Sequence, residues 1–466
     1  MLRFDDGARA LADAESGQTW THASLREAVD LQARFLPESK ALVFLFADPT
    51  PGTVITYYAA LQAGHAVALL EPSLKPDAAR RLLDLYSPEI VAGSVPQGVL
   101  GDDYTPAGPA LARRAQPTGE PIHRDLAVLL TTSGSTGSAK FVRLSRENVE
   151  SNADAIIATL GLTRGDSAPT SLPLHYSYGM SLLTSHLLAG GALVMTGASV
   201  LEPQFWDHCR AHSVTFFAGV PYTYQMLRRI GFDPASLPSV RAMTQAGGKL
   251  ADELVVHFHE AMSQHGNEFF VMYGQTEAAP RIACLPSRDL PAKIGSAGVA
   301  LPGGRLDAVD QDGATLPSGA VGEIAYEGPN VMMGYAEDRR DLALPDVTGG
   351  RLLTGDLGYV DEDGYLYLTG RLKRIAKVFG TRISLDEVEA GLRKHGPVAV
   401  VSRRPDTLTV IAEWGDNESH GRARRELAAN LRLPLPAVRF ERVDSLPLLP
   451  SGKVDYARLN GSGGGG

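Results

Sequence analysis

The sequence predicts an α/β protein with a large N-terminal domain of mixed, mainly parallel sheets layered with helices. A small β-rich subdomain follows, and then a small α+β domain at the C-terminus. Three observations predict this. Short apolar runs alternate with helical patterns through the first 300 residues or so. From about Gly304 the texture changes to shorter strands and Asp/Gly turns, and Leu372 to Leu459 carries strand and helix patterns of its own.

Ala41–Phe46 reads as a buried strand and Pro51–Ala63 as the helix after it; Ala66–Leu70 and Pro76–Leu85 repeat the pair. Strands that are apolar on both faces and separated by helices belong in parallel sheets covered on both sides. Leu126–Leu130 is another such strand and leads into a Gly/Ser/Thr-rich loop. Asp310-Gln311-Asp312-Gly313 and Asp361-Glu362-Asp363-Gly364 are hairpin signals that define the β-rich subdomain at about 300–370. In the C-terminal segment Leu385–His395 reads as a helix, with strands at Val398–Val401 and Leu408–Glu413. The expected domains are therefore 1–371 and 372–460, with 461–466 a flexible Gly/Ser tail.

A chain of 466 residues has room for two or three domains. Its 44% hydrophobic and 21% charged residues describe an ordinary globular core. With 44 Lys+Arg against 53 Asp+Glu the net charge is −9, which provides no basic field for nucleic acid or an anionic membrane surface. Acidic residues follow Met1 where a signal peptide needs positive charge, and no apolar run approaches the ~20 residues that span a bilayer. Two cysteines, Cys209 and Cys284, allow no disulfide framework or cysteine metal cluster, so a cytoplasmic setting is expected.

Five segments carry chemistry. Thr132-Ser133-Gly134-Ser135-Thr136-Gly137-Ser138-Ala139-Lys140 combines glycines that let backbone N–H groups turn inward with hydroxyl donors and a cation, a set suited to phosphate oxygens. It contains no Gly-Lys-Ser/Thr and is not a Walker A loop. Tyr273-Gly274-Gln275-Thr276-Glu277 follows an apolar strand and offers a carboxylate beside a hydroxyl, suited to Mg²⁺ shared with phosphates. Leu353-Thr354-Gly355-Asp356 places an Asp after a tight turn, where it could accept two hydroxyls. Gly370 to Gly380 is a basic, glycine-bounded segment, and Leu446 to Tyr456 carries Lys453 on a Pro- and Gly-flanked loop. Alone, each segment also reads as a solvated turn or loop; their order along one chain is what separates the two readings.

In that order the five segments resemble the adenylate-forming superfamily: acyl-CoA synthetases, firefly-type luciferases and the adenylation domains of nonribosomal peptide synthetases. The likeness runs from about Ser16 to Leu459. It implies ATP-dependent activation of a small carboxylic acid to an acyl-adenylate with release of pyrophosphate, then transfer to a thiol. The cofactors implied are ATP and Mg²⁺, and the acceptor is coenzyme A or the phosphopantetheine of an acyl or peptidyl carrier protein. By the same resemblance Thr132, Ser133, Gly134, Ser135, Thr136, Gly137 and Lys140 would grip the β- and γ-phosphates, and Gly247 and Gly248 would form the adenine wall. Tyr273 would pack on adenine, Thr276 would contact the α-phosphate and Glu277 would hold Mg²⁺. Asp356 and Arg371 would bind the ribose, and Lys453 would reach the substrate carboxylate and the α-phosphate. Lys373 would be the hinge of a mobile C-terminal lid, with Gly380 beside a thiol tunnel. An oxygen-consuming, luciferase-type enzyme and a non-catalytic binding protein are the alternatives; the second is disfavoured because Lys453, Glu277, Asp356 and Arg371 are all present.

The acid pocket implied by the resemblance comprises His175, Tyr176, Ser177, Gly179, Phe217, Gly219, Ala246, Gly247 and Ala279. Where acyl ligases often read Pro-x-x-His-x-x-Gly, this chain has Pro173-Leu174-His175-Tyr176-Ser177-Tyr178-Gly179, so the gating His is displaced by one position. Ser177 stands where amino-acid-activating domains keep an Asp, which disfavours an α-ammonium group. The set is otherwise apolar and favours an aryl or aliphatic acid. The C-terminal segment is short, and beyond Arg403 and Arg404 it carries no obvious cluster for the 3′-phosphate of coenzyme A.

Overall fold

The structure, a computed structural model, describes residues 2–116, 119–131, 140–379, 381–431, 433–449 and 453–461. Two units pack separately: residues up to 305 together with Tyr326–Leu352, and Leu306–Ala325 together with the chain from Leu353 onward.

In the first unit Leu42–Phe46 lies between Ala66–Leu70 and Ile90–Gly93, and Ala66–Leu70 pairs with Leu126–Thr131, all parallel. Leu42 to Phe46 and Ala66 to Leu70 are buried on both faces, as their unbroken apolar runs require. Antiparallel strands extend this sheet on both sides: Phe141–Ser145 and then Gly334–Ala336 beyond Leu126–Thr131, and Leu111–Arg114 and Tyr104–Gly108 beyond Ile90–Gly93. The helix Pro51–Gln62 starts where Thr50 accepts from the Thr53 amide and Pro51 occupies the first turn, a position where its missing N–H costs nothing. Arg146–Leu160 is bounded by a capping box at Ser145 and a left-handed Gly161.

A five-stranded sheet places Phe216–Gly219, Ala242–Gln245 and Glu268–Gly274 in parallel, followed by antiparallel Arg281–Leu285 and Val299–Ala300. A four-stranded sheet holds Ser167–Pro169, Ala192–Met195, Arg9–Asp13 and Thr19–Thr21. The mixed sheets layered with helices expected from the alternating pattern are thus present; they are not mainly parallel, because the parallel strands are extended at the sheet edges by antiparallel ones.

The second unit contains most of a four-stranded sheet, Arg305–Val309, Gly322–Glu327, Arg351–Val360 and Leu366–Arg371. The Asp310 and Asp361 turns close its hairpins as expected: Asp310 Oδ1 accepts from the Asp312 and Ala314 amides, and Asp361 Oδ1 from the Asp363 and Tyr365 amides. Beyond it, Val398–Arg404, Thr407–Ala412 and Val438–Arg442 form a three-stranded sheet with the helices Leu385–Leu392 and Asn417–Asn430. Val400, Leu408, Val410 and Val438 make the core of this α+β segment. Beside it the buried Glu389 is held by Arg374 and by the Tyr456 hydroxyl. No helix among the described residues is long and apolar enough to cross a membrane.

One buried acid ties the first unit together. Asp166 accepts from Arg241 Nε and Nη2 at 2.7 and 2.8 Å, from the Thr163 amide and hydroxyl, and from the Thr215 hydroxyl. Burial alone would raise its pKa, but these donors overcome that and hold it at about 2. A depressed carboxylate contributes stability above its unfolded pKa of ~3.9 and loses it as pH falls toward 2. The expected result is an Asp166 contribution of about 2 kcal/mol at neutral pH that fades between about pH 4 and 2. Urea midpoints across that range should fall more steeply for the wild type than for Asp166→Asn; parallel curves would contradict it.

Candidate active site

In the first unit the Tyr273–Glu277 segment sits where the strand Glu268–Gly274 ends and the chain reverses. Gln275 leads into the single turn Thr276–Ala278, and Ala279 adopts φ +59° before Pro280 returns the chain to the strand Arg281–Leu285. The Gln275 amide donates to the Pro280 carbonyl at 2.9 Å, closing the reversal. Two buried asparagines fix the returning backbone. Asn152 exchanges hydrogen bonds with Arg281 N and O, and Asn330 Nδ2 donates to Ala278 O and Arg281 O. Paired so completely, the reversal has a fixed backbone, which is what a group aimed at a reacting phosphate requires.

Glu277 is positioned by a residue 58 positions away: the Tyr335 hydroxyl donates to its Oε1 at 2.8 Å. Tyr335 lies on Gly334–Ala336, in register with Phe141–Ser145, so Lys140 emerges beside it and places its Nζ 3.8 Å from the Tyr335 ring centroid. Burial, and then the Glu277 charge, push the Tyr335 phenol well up, so it stays a donor. A carboxylate, a phenol and an ammonium thus form one cluster beside the antiparallel strands that flank the Gly/Ser/Thr loop. Of that loop, Thr132, Ser133, Gly134, Ser135, Thr136 and Gly137 lie outside the described residues; Thr131 and Phe141, in register, mark its ends.

Thr276 Oγ1 lies 3.2 Å from Ser177 Oγ, so the reversal meets the first turn of the helix Ser177–Leu188. That turn requires Gly179, because a Cβ there would sit 2.1 Å from the Pro173 carbonyl oxygen. Gly247 has φ +88°, and a Cβ on it would lie 2.7 Å from the Tyr176 hydroxyl, so this glycine lets Tyr176 approach the backbone. Tyr176 and Tyr178 meet edge-on at 6.3 Å, and Tyr178 donates to Thr244. Burial lifts the Tyr176 phenol to about 12, although Arg281 opposes the shift. Burial likewise lowers the His175 pKa, and its Nδ1 has no partner among the described residues. Gln275 Nε2 donates to the Tyr273 hydroxyl at 3.2 Å.

Not every predicted pocket residue joins this group. Ala246 packs with Ala218, Tyr176 and Tyr178. Phe217 lies on the other side of its strand, against Trp206, Phe205 and Tyr224, where core packing accounts for it. Gly219 faces Thr223 and Tyr224. Ala279 packs into the core of the eight-stranded sheet rather than with Ala246. Four residues went unremarked in the sequence: Asn152, Asn330, Tyr335 and Arg281. Only Arg281 left a trace there, as a lone cation opening an apolar strand.

In the second unit Asp356 is buried and in register with Arg371, whose Nε donates to its Oδ1 at 2.8 Å. The preceding turn is fixed by Gly355 at φ +72°, whose amide donates to Glu323, and by Thr354, whose hydroxyl donates to the Ile324 carbonyl. Lys453 is half-buried next to the Leu448–Val454 bridge, its carbonyl accepting from the Leu449 amide at 2.7 Å. Gly380 and the side chain of Lys373 lie outside the described residues.

Among the described residues no three His, Cys, Asp or Glu side chains come together to hold a metal. A single oriented carboxylate such as Glu277 fits Mg²⁺, which takes one or two carboxylates and completes its shell with phosphates and water.

Residues 3–336 match the family model of AMP-binding enzymes. The chain therefore belongs to the AMP-binding enzyme family. It is 32% identical over 349 residues to a 4-coumarate–CoA ligase-like protein of Oryza sativa subsp. japonica, covering 71% of this chain and 62% of that protein. It is also 32% identical over 349 residues to the fatty acid–[acyl-carrier-protein] ligase ScoC of Streptomyces coeruleorubidus, covering 70% and 65%. Both matches thus span somewhat less than two thirds of the relative. The fold is shared with o-succinylbenzoate CoA synthetase (MenE) of Bacillus subtilis in complex with its acyl-adenylate intermediate: TM-score 0.76, 24% identity, 97% of this chain and 95% of that one.

Proposed function

We propose that this chain activates a small carboxylic acid with ATP, giving an acyl-adenylate and pyrophosphate, and passes the acyl group to a thiol to give a thioester and AMP. The observation that carries the reading is the Glu277–Tyr335–Lys140 cluster beside the phosphate-loop strands, with Thr276 on the same reversal.

The reaction needs a carboxylate to attack the α-phosphorus, so two anions must approach. Lys140 and the loop 132–137 grip the β- and γ-phosphates, and Thr276 contacts the α-phosphate. Glu277 would hold Mg²⁺, which when bound offsets phosphate charge. Tyr273, Gly247 and Gly248 form the adenine site, and Asp356, held by Arg371, accepts from the ribose hydroxyls. Lys453 bridges the acid carboxylate and the α-phosphate and stabilises the charge that builds on the equatorial oxygens. In this reading 372–460 is a lid that turns about Lys373 after adenylation, bringing Gly380 to the thiol tunnel.

The thiol is that of coenzyme A or, alternatively, of a phosphopantetheinylated carrier protein, and one observation favours the carrier. Arg403, a candidate for the 3′-phosphate, already donates to the Leu459 carbonyl and to Glu441 at 2.7 and 2.8 Å. The resemblance to a carrier-protein ligase supports the same alternative. The protein would work in the cytoplasm, without a nucleic acid or membrane partner. Incubation with ATP, Mg²⁺, an acid panel and either coenzyme A or a phosphopantetheinylated carrier tests this. Thioester and AMP appearing together, with one acceptor or both, is expected; AMP without thioester on either would refute the thiol step.

A further inference from the structure

We propose that Arg281 receives a second ionised acidic group on the substrate, so that the acid activated is a dicarboxylate rather than a simple aryl or aliphatic acid. The inference rests on the adenylation reading above and names the substrate class of that same site.

Arg281 is only 4% exposed, yet its Nε is buried without a hydrogen-bond partner and no carboxylate among the described residues acts on its charge. Its backbone is engaged by Asn152 and Asn330, so the side chain is held in place while the buried Nε–H, one of its five N–H donors, is left unmatched. The cation lies 3.7 Å from the Tyr178 ring centroid. That contact returns part of the desolvation cost but supplies no acceptor. Buried arginines are almost always paired, because an isolated buried charge is far more costly than an aromatic face can offset. The groups acting on its charge are Tyr178, Tyr176 and Cys284; burial pulls its pKa down and no carboxylate restores it.

The location fits a substrate role. Arg281 is in register with Gly274, directly after Tyr273, and sits with Tyr176 and Tyr178 on either side of Ser177. Tyr178 and Tyr176 share a cluster with Ala246. A carboxylate entering between these tyrosines would find a planar, bidentate donor already desolvated, the arrangement that makes Arg selective for carboxylates.

ATP–pyrophosphate exchange would be measured with pairs of short aliphatic and aryl dicarboxylates and their monomethyl esters, on the wild type, Arg281→Gln and Arg281→Lys. For at least one pair, kcat/KM for the diacid should exceed that for its half-ester by on the order of 10²-fold or more, since a site built around a polar partner rejects the analogue lacking it. Arg281→Gln should abolish that preference, with Arg281→Lys intermediate and the KM for ATP within about three-fold of wild type. Half-esters or simple monoacids turning over as well as diacids in the wild type would overturn the proposal while leaving adenylation standing. A preference that survives Arg281→Gln, or a variant that raises only the KM for ATP, would also overturn it, the second by assigning the guanidinium to phosphate. If Arg281→Gln fails to fold, the wild-type comparison decides alone. Exchange with no acid at all would remove the adenylation reading and the proposal with it.

Discussion

Replacing Lys453 by Ala is expected to lower acyl-adenylate formation by about 10²–10³-fold while leaving thioester formation from supplied acyl-adenylate close to wild type. An ammonium that bridges two approaching anions acts where charge develops, so its loss falls on the chemical step rather than on ATP binding. Lys453 sits next to the Leu448–Val454 bridge, within the segment proposed as a lid. If that lid turns between half-reactions, the lysine serves only one of them. Single-turnover rates for the two half-reactions measure this separately. Equal loss in both would rule out the two-state lid.

The second large effect is expected at Glu277. Glu277→Gln preserves shape and can still accept from the Tyr335 hydroxyl, but it removes the charge that would face Mg²⁺. The expected result is about a 10²-fold loss in kcat/KM for ATP and a marked rise in the Mg²⁺ concentration needed for half-maximal rate. Tyr335→Phe should move the same two quantities in the same direction by about ten-fold, because it removes only the orienting donor. Initial rates across a Mg²⁺ titration decide it: an unchanged Mg²⁺ requirement in Glu277→Gln would place the metal elsewhere.

The sequence made the scaffold legible because its strands are buried on both faces. Leu42–Phe46 and Ala66–Leu70 have no polar side chain and no alternation, so only a covered parallel sheet accommodates them. The turns were equally plain, since Asp310 and Asp361 bond their own backbone two to four residues on. The candidate site was legible only as motifs. Their ordering carried the family, but nothing local told that Glu277 meets Tyr335 or that Thr276 meets Ser177, contacts that span 58 and 99 positions. Phe217 shows what motif order leaves open: alternation along a strand puts neighbours on opposite faces, and the strand's register in the sheet decides which face a residue takes, here the one against Trp206. Arg281 was visible as a cation in an apolar run, but its lack of a partner is a fact of three-dimensional packing.

The most direct test of the central reading is ATP–pyrophosphate exchange across a broad panel of mono- and dicarboxylic acids, with Lys453→Ala as control. Acid-dependent exchange by the wild type that falls to near background in the control is the predicted result. Folded protein that binds ATP yet exchanges no label with any acid, or exchange that Lys453→Ala leaves intact, would contradict it.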